Sequence, residues 1–147
     1  MRMTISKLIG SAGALVLAGH LFAGGFYLVL GNPEASPLAS KLNAVLTIQA
    51  TGCHDPAMAT LAATAIGVVN GERREIPLKL EKMPTAGMYA LTQQWPKEGR
   101  WVIKLTGKVD AMFTNSLIPV GPEGVDRLHD RANYKEFSAA DVDAMLK

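Results

Sequence analysis

The chain has 147 residues, 48% hydrophobic, 19% charged and 6% aromatic. The first 40 read as a leader, and the 107 that follow suffice for one domain and are too few for two, which excludes large catalytic scaffolds such as an eight-fold strand–helix barrel. A net charge of +2 excludes a strongly basic nucleic-acid binder, and a single cysteine excludes an internal disulfide framework and a thiolate-only zinc site.

Met1 to Lys7 is short and basic, and Leu8 to Leu30 then runs 23 residues without a charge. At ~1.5 Å per residue a helix of that length covers the ~30 Å hydrocarbon core of a bilayer. Gly31-Asn32-Pro33 closes the run, because Pro cannot continue a helix. Arg2 and Lys7 favour a cytoplasmic N-terminus, which sends the rest of the chain across the membrane. Two readings fit. One is a retained single-span anchor, giving an inner-membrane protein with a periplasmic domain. The other is a cleaved signal, whose apolar region is ~7–15 residues long, cut at small residues around Pro37-Leu38-Ala39-Ser40 and releasing the domain to the periplasm. In a retained span, Gly10, Ala14 and Ala18 form a small-residue stripe that lets helices approach closely. His20 would then face a partner, a cavity or a cofactor such as haem, since a polar imidazole in lipid is costly. In a cleaved signal these residues have no lasting role.

From Lys41 onward the apolar period is 2, which places alternate side chains on one side of a pleated strand. Leu46, Ile48 and Ala50 alternate with Val45, Thr47 and Gln49. The Ala- and Thr-rich segment Ala59 to Val69 reads as a strand, although Ala also suits helix. Ile76, Leu78 and Leu80 form the next set, and Pro77, which has no ladder donor, puts that strand at an edge. Tyr89, Leu91 and Trp95 share a face, as do Trp101, Ile103 and Leu105. Asn70-Gly71 is a hairpin signal, and Pro84 to Gly87 and Pro96 to Gly99 suit tight turns. Turns about 8–12 residues apart indicate a small antiparallel sandwich or barrel.

After Met112-Phe113-Thr114 and Leu117-Ile118 the pattern breaks, and Pro119 to Lys135 reads as a polar loop with one helical turn at Val125 to Arg131. Ser138 followed three residues on by Asp141 resembles a capping box, with Phe137 and Val142 placed for a hydrophobic staple. Val142, Met145 and Leu146 make one apolar face of a short closing helix. The expected organisation is therefore a leader and linker over 1–40, a β domain over 41–120, and a polar loop with a helix over 121–147.

Gly87-Met88-Tyr89, followed by Trp95-Pro96-Lys97-Glu98-Gly99-Arg100-Trp101-Val102-Ile103, resembles the penultimate hairpin of bacterial YtkA-like domains. It is also similar to the periplasmic part of FixH-like proteins, which follow one N-terminal span. The resemblance covers Lys41 to Thr106 and rests on fold positions: Gly for the turn and aromatic residues for the core. It implies an exported immunoglobulin-like sandwich without enzymatic activity of its own. Some relatives are linked to copper handling or oxidase assembly, through Met and His ligands that have no residue-by-residue match in this chain.

Cys53-His54-Asp55-Pro56 with Met58 is the densest cluster of chemistry-bearing residues. Thiolate, imidazole and thioether are soft ligands that suit copper. Cys53 and His54 would point to opposite faces in a strand and converge only in a turn. The plainer reading is a strand-to-strand loop, since Asp before Pro is ordinary turn chemistry. A third is a thiol that pairs with another protein. His129, in an Asp- and Arg-rich stretch, reads as a further metal ligand, a general base, or part of a solvated turn. Met83, Met88 and Met112 read as core or as copper-lining residues. No nucleophile signature stands out, and no small-molecule substrate is evident. The resulting expectation is an all-β, immunoglobulin-like antiparallel sandwich behind one transmembrane or signal helix and ahead of a short C-terminal helix. It would act as a non-enzymatic accessory or assembly subunit that binds another envelope or membrane protein. The alternative is a periplasmic copper carrier using Cys53, His54 and Met58.

Overall fold

The computed structural model describes residues 25–52 and 54–147. Strand β1 (Phe26–Gly31) is followed by a 3-10 turn (Pro33–Ala35), helix α1 (Pro37–Lys41), strand β2 (Ala44–Gly52) and a second 3-10 turn (Pro56–Met58). Then come β3 (Thr60–Val69), β4 (Glu72–Leu78), β5 (Leu80–Lys82), β6 (Met88–Thr92), β7 (Arg100–Val109) and β8 (Met112–Gly121). The short strands β9 (Gly124–Val125) and β10 (Arg131–Asn133) lead to helix α2 (Ala139–Met145). The strands form two antiparallel sheets, ordered β1-β2-β6-β5 and β10-β8-β7-β3-β4, with β9 also on β8.

Period-2 patterning fills the space between them. Leu46, Ile48 and Leu91 from the first sheet meet Ile103, Leu105 and Ile118 from the second, all fully buried. Each large aliphatic removed from water there contributes about 1.5–3 kcal/mol of transfer free energy. The Ala- and Thr-rich β3 is a strand because its small residues lie beside large ones. Ala63 pairs with Leu105, Ala65 with Ile103 and Gly67 with Trp101. At Gly67 the fit is closest: a Cβ there would lie 2.3 Å from Trp101 Cε3, so the indole ring occupies the space a side chain would need. Trp101 Nε1 donates to the Glu98 carbonyl at 2.9 Å, which satisfies the indole's one polar atom. Asn70 and Gly71 take φ of 52° and 80°, so both central residues of the β3–β4 hairpin are left-handed, as the Asn-Gly pair suggested.

The outer face of the second sheet is also apolar. Ile66, Val102 and Leu117 are buried there under Phe137, Val142 and Leu146. Helix α2 begins with the expected capping box: Ser138 Oγ accepts from the Asp141 amide, and Asp141 Oδ2 accepts from the Ser138 amide. Arg73 pairs with Asp143, and Arg100 donates to the Lys147 carbonyl at 2.7 Å, so the helix is tied to β4 and β7. Asn115, 1% exposed, holds the preceding segment: its Nδ2 donates to the Lys135 carbonyl at 3.1 Å while Thr106 donates to its Oδ1 at 2.9 Å.

Three expectations are corrected. The uncharged run Leu8 to Leu30 does not stay outside the fold, because Phe26 to Leu30 belong to β1, paired with β2 from Gly52 to Ile48. Leu28 and Leu30 pack on the core, so residue 41 does not mark where the body begins. A cut around Pro37-Leu38-Ala39-Ser40 would fall inside α1, where Ala39 is fully buried, and would remove β1. Val125 to Arg131 is not helical: Gly124–Val125 and Arg131–Asn133 pair with β8 instead. Among the described residues no helix is long and apolar enough to cross a membrane.

Two outcomes test this packing. Gly67→Ala is expected to lower stability by about 1–3 kcal/mol, read from the urea midpoint, because the Trp101 ring must move. The hydrogen bonds from Ser138 hold the Asp141 carboxyl below its ordinary value. A depressed folded-state value stabilises above the unfolded value and is lost as pH falls through the folded-state value, so this contribution should begin to decline at about pH 4 and vanish at lower pH. Ser138→Ala should therefore show a smaller loss of thermal midpoint on acidification than the wild type.

Candidate functional site

β1 starts beside the end of β2, at one pole of the body, here called proximal. Gly52, with φ of 139°, lies so close to Gly25 that a Cβ on it would sit 2.1 Å from the Gly25 carbonyl oxygen. The β2–β3 loop, the β5–β6 loop and the β7–β8 turn share this proximal end. Gly87 packs on Pro56, and His54 lies beside Asp110.

Asp55 and Pro56 are turn residues. Asp55 Oδ1 accepts from the Ala57 amide at 3.0 Å, and Pro56 opens the 3-10 turn. His54 is exposed, with Nδ1 at 3.6 Å from Asp110 Oδ2. Met58 closes the same turn at 68% exposure. The structure thus places His54 and Met58 on one exposed loop. Cys53, His20, Gly10, Ala14 and Ala18 lie outside the described residues. Met112 packs with Phe26, Ala50 and Val109 in a small cluster at this end. Met83 and Met88 are half-buried and line a small cavity of about 140 Å³ beside Gly87. Among the described residues no three of His, Cys, Asp and Glu come together in a group that could hold a metal.

His129 is distant from this cluster. It is exposed, and its Nδ1 lies 2.7 Å from Asp126 Oδ2. That hydrogen bond holds the Asp126 carboxyl below its ordinary value, whereas partial burial raises the neighbouring Asp130. Asp126 also accepts from the Leu128 amide at 3.2 Å, which closes a local turn. At the opposite, distal end a cleft of about 720 Å³ opens between the sheets over Trp95 and Trp101, with Gln93, Lys97, Arg100 and Glu123 among its polar lining. Arg100 is already engaged by the C-terminus.

The feature that sequence reading missed is the free side of β1. Of the four strands that end the two sheets, β4 carries Glu72, Arg73, Arg74, Glu75 and Pro77. β5 and β10 span three residues each and carry charges. β1 spans six residues, Phe-Tyr-Leu-Val-Leu-Gly, with neither charge nor Pro, and among the described residues it pairs with β2 alone. Tyr27 and Val29, 49% and 47% exposed, point away from the core. Natural sheets usually blunt such edges with charge, Pro or brevity. The missed signal was the alternation of Phe26, Leu28 and Leu30 against Tyr27 and Val29, hidden inside a continuous apolar run.

His54→Ala and Met58→Ala are expected to change stability by less than about 0.5 kcal/mol, since both side chains are exposed. His129→Ala should return Asp126 upward toward its ordinary value, which a carboxyl-carbon titration by NMR would read directly.

Comparison with known proteins adds no relative: no family model matches the chain, and neither a curated protein nor a solved structure does.

Proposed function

We propose that the chain is an exported immunoglobulin-like sandwich that binds another envelope or membrane protein as an accessory subunit. The observation that carries this reading is the β1 edge. A strand of six uncharged residues at a sheet margin offers backbone donors and acceptors to an incoming strand, with Tyr27 and Val29 beside them to contact alternate side chains. The sheet orders support the immunoglobulin-like part. Labelled A to G in that fold's convention, β1-β2-β6-β5 corresponds to A-B-E-D and β8-β7-β3-β4 to G-F-C-C′. Export rests on Arg2, Lys7 and the uncharged residues that follow. With β1 assigned to the body, Leu8 to Gly25 leaves 18 uncharged residues, within the length of a span at ~1.5 Å per residue. We read this segment as a retained anchor.

The copper-carrier reading has one observation in its favour, the shared exposed loop of His54 and Met58. On the subunit reading, Cu(I) titration of the wild type and of His54→Ala is expected to give indistinguishable curves, and loss of a tight site in the variant would favour the carrier.

Purification from native membranes in mild detergent tests the main proposal. The wild type should retain a second protein, and Val29→Lys should release it while keeping the wild-type thermal midpoint, since Val29 lies outside the core. Equal retention by both proteins would contradict a β1 docking edge.

A further inference from the structure

We propose that the proximal end of the body rests on the lipid bilayer and contacts its interfacial region through Tyr27, Phe113 and Tyr134. This inference rests on the retained-anchor reading above.

The first ground is the length of the connection. Leu8 to Gly25 carries no charge, and Gly25 already packs against Gly52. A spacer of ten extended residues could lift the body by about 33–36 Å. Here no spacer separates the uncharged run from the first strand, so the end of the body where β1 begins has to meet the membrane surface.

The second ground is independent of the first. Among the described residues the exposed aromatic side chains are Tyr27, Phe113 and Tyr134, at 49%, 46% and 67% exposure. Tyr27 is the second residue of β1, and Phe113 is the second residue of β8. Tyr134 follows Asn133, which pairs with Asn115 in the same half of β8. Tyr27 lies on the outer face of one sheet, while Phe113 and Tyr134 lie on the side of the other, so they flank the proximal end. Met58 is exposed on the loop at its tip. The distal end presents exposed aliphatic residues on α1, Leu38 and Leu42, but no exposed aromatic ring. Tyrosine, with an apolar ring and a polar hydroxyl, concentrates at the headgroup level of membranes, and the exposed Phe113 ring adds apolar contact beside Tyr27 and Tyr134.

The charges at this end decide the lipid class. Lys108 sits 5.3 Å over the Phe113 ring, and Lys82 lies nearby on the β5–β6 side. Asp55 and Asp110 oppose them, with His54 beside Asp110. The mixture gives no strong attraction to anionic lipid, so contact with neutral phosphatidylcholine is sufficient.

The test uses the full chain with Cys53→Ser in phosphatidylcholine nanodiscs that carry nitroxide-labelled headgroups. A fluorophore is attached at Ala111→Cys, in the proximal β7–β8 turn, or at Glu123→Cys, in the distal β8–β9 turn. Quenching is expected to be several-fold stronger at position 111. Adding Tyr27→Ser, Phe113→Ser and Tyr134→Ser should remove about half of that difference, because these are the interfacial anchors. The emission of buried Trp95 and Trp101 confirms that each variant is folded. Equal quenching at the two positions in disc-bound protein would overturn the inference, as would an unchanged difference in the triple variant. Folded protein eluting apart from the discs would instead overturn the anchored reading, and this inference with it.

Discussion

The pairing of Phe26–Gly31 with β2 brings the last residues of the uncharged N-terminal run into the first sheet. The register places Phe26 opposite Gly52 and Leu30 opposite Ile48, which turns Leu28 and Leu30 inward and Tyr27 and Val29 outward. A slip of one residue would reverse those faces, exposing Phe26 and two leucines and burying the Tyr27 hydroxyl, so burial favours the observed register. Gly52 fixes the start of the strand, because a side chain there would collide with the Gly25 carbonyl. This one pairing sets which strand stands at the margin of the first sheet.

The second sheet shows the same logic on both faces. Its inner face complements small residues on β3 with large ones on β7, down to an indole resting on Gly67. Its outer face would expose Ile66, Val102 and Leu117 to water, and α2 covers them. A helix of seven residues is too short to hold itself together in water. Its capping box, its apolar contacts with the sheet and the pairs Arg73–Asp143 and Arg131–Asp141 supply what its length does not. Among the described residues no comparable helix lies over β1 of the first sheet.

Much of this was legible in the sequence because the relevant forces are local. Asn70-Gly71 announces its hairpin through φ preference, Pro77 its edge strand through a missing donor, and Ser138 with Asp141 its helix start through capping geometry. β1 was obscured because a strand of alternating apolar residues inside a longer apolar run has the same composition as a helical span. β9 and β10 were obscured because their pairing depends on β8 and on the buried amide of Asn115, contacts that no local pattern announces. The site was legible in its residues but not in its use: Asp55 and Pro56 do turn chemistry, while the exposed aromatic ring positions emerged only once the strands placed Tyr27, Phe113 and Tyr134 in one half of the molecule.

Native-state hydrogen exchange across Phe26–Gly31 in the full-length protein tests the central claim most directly. If β1 is part of the sheet, the amides it donates to β2 will exchange as slowly as those of β2 and β6, with opening free energies approaching that of global unfolding. Exchange of all six amides at unfolded-chain rates, with β2 and β6 still protected, would show that Phe26–Gly31 does not join the sheet and would contradict the account.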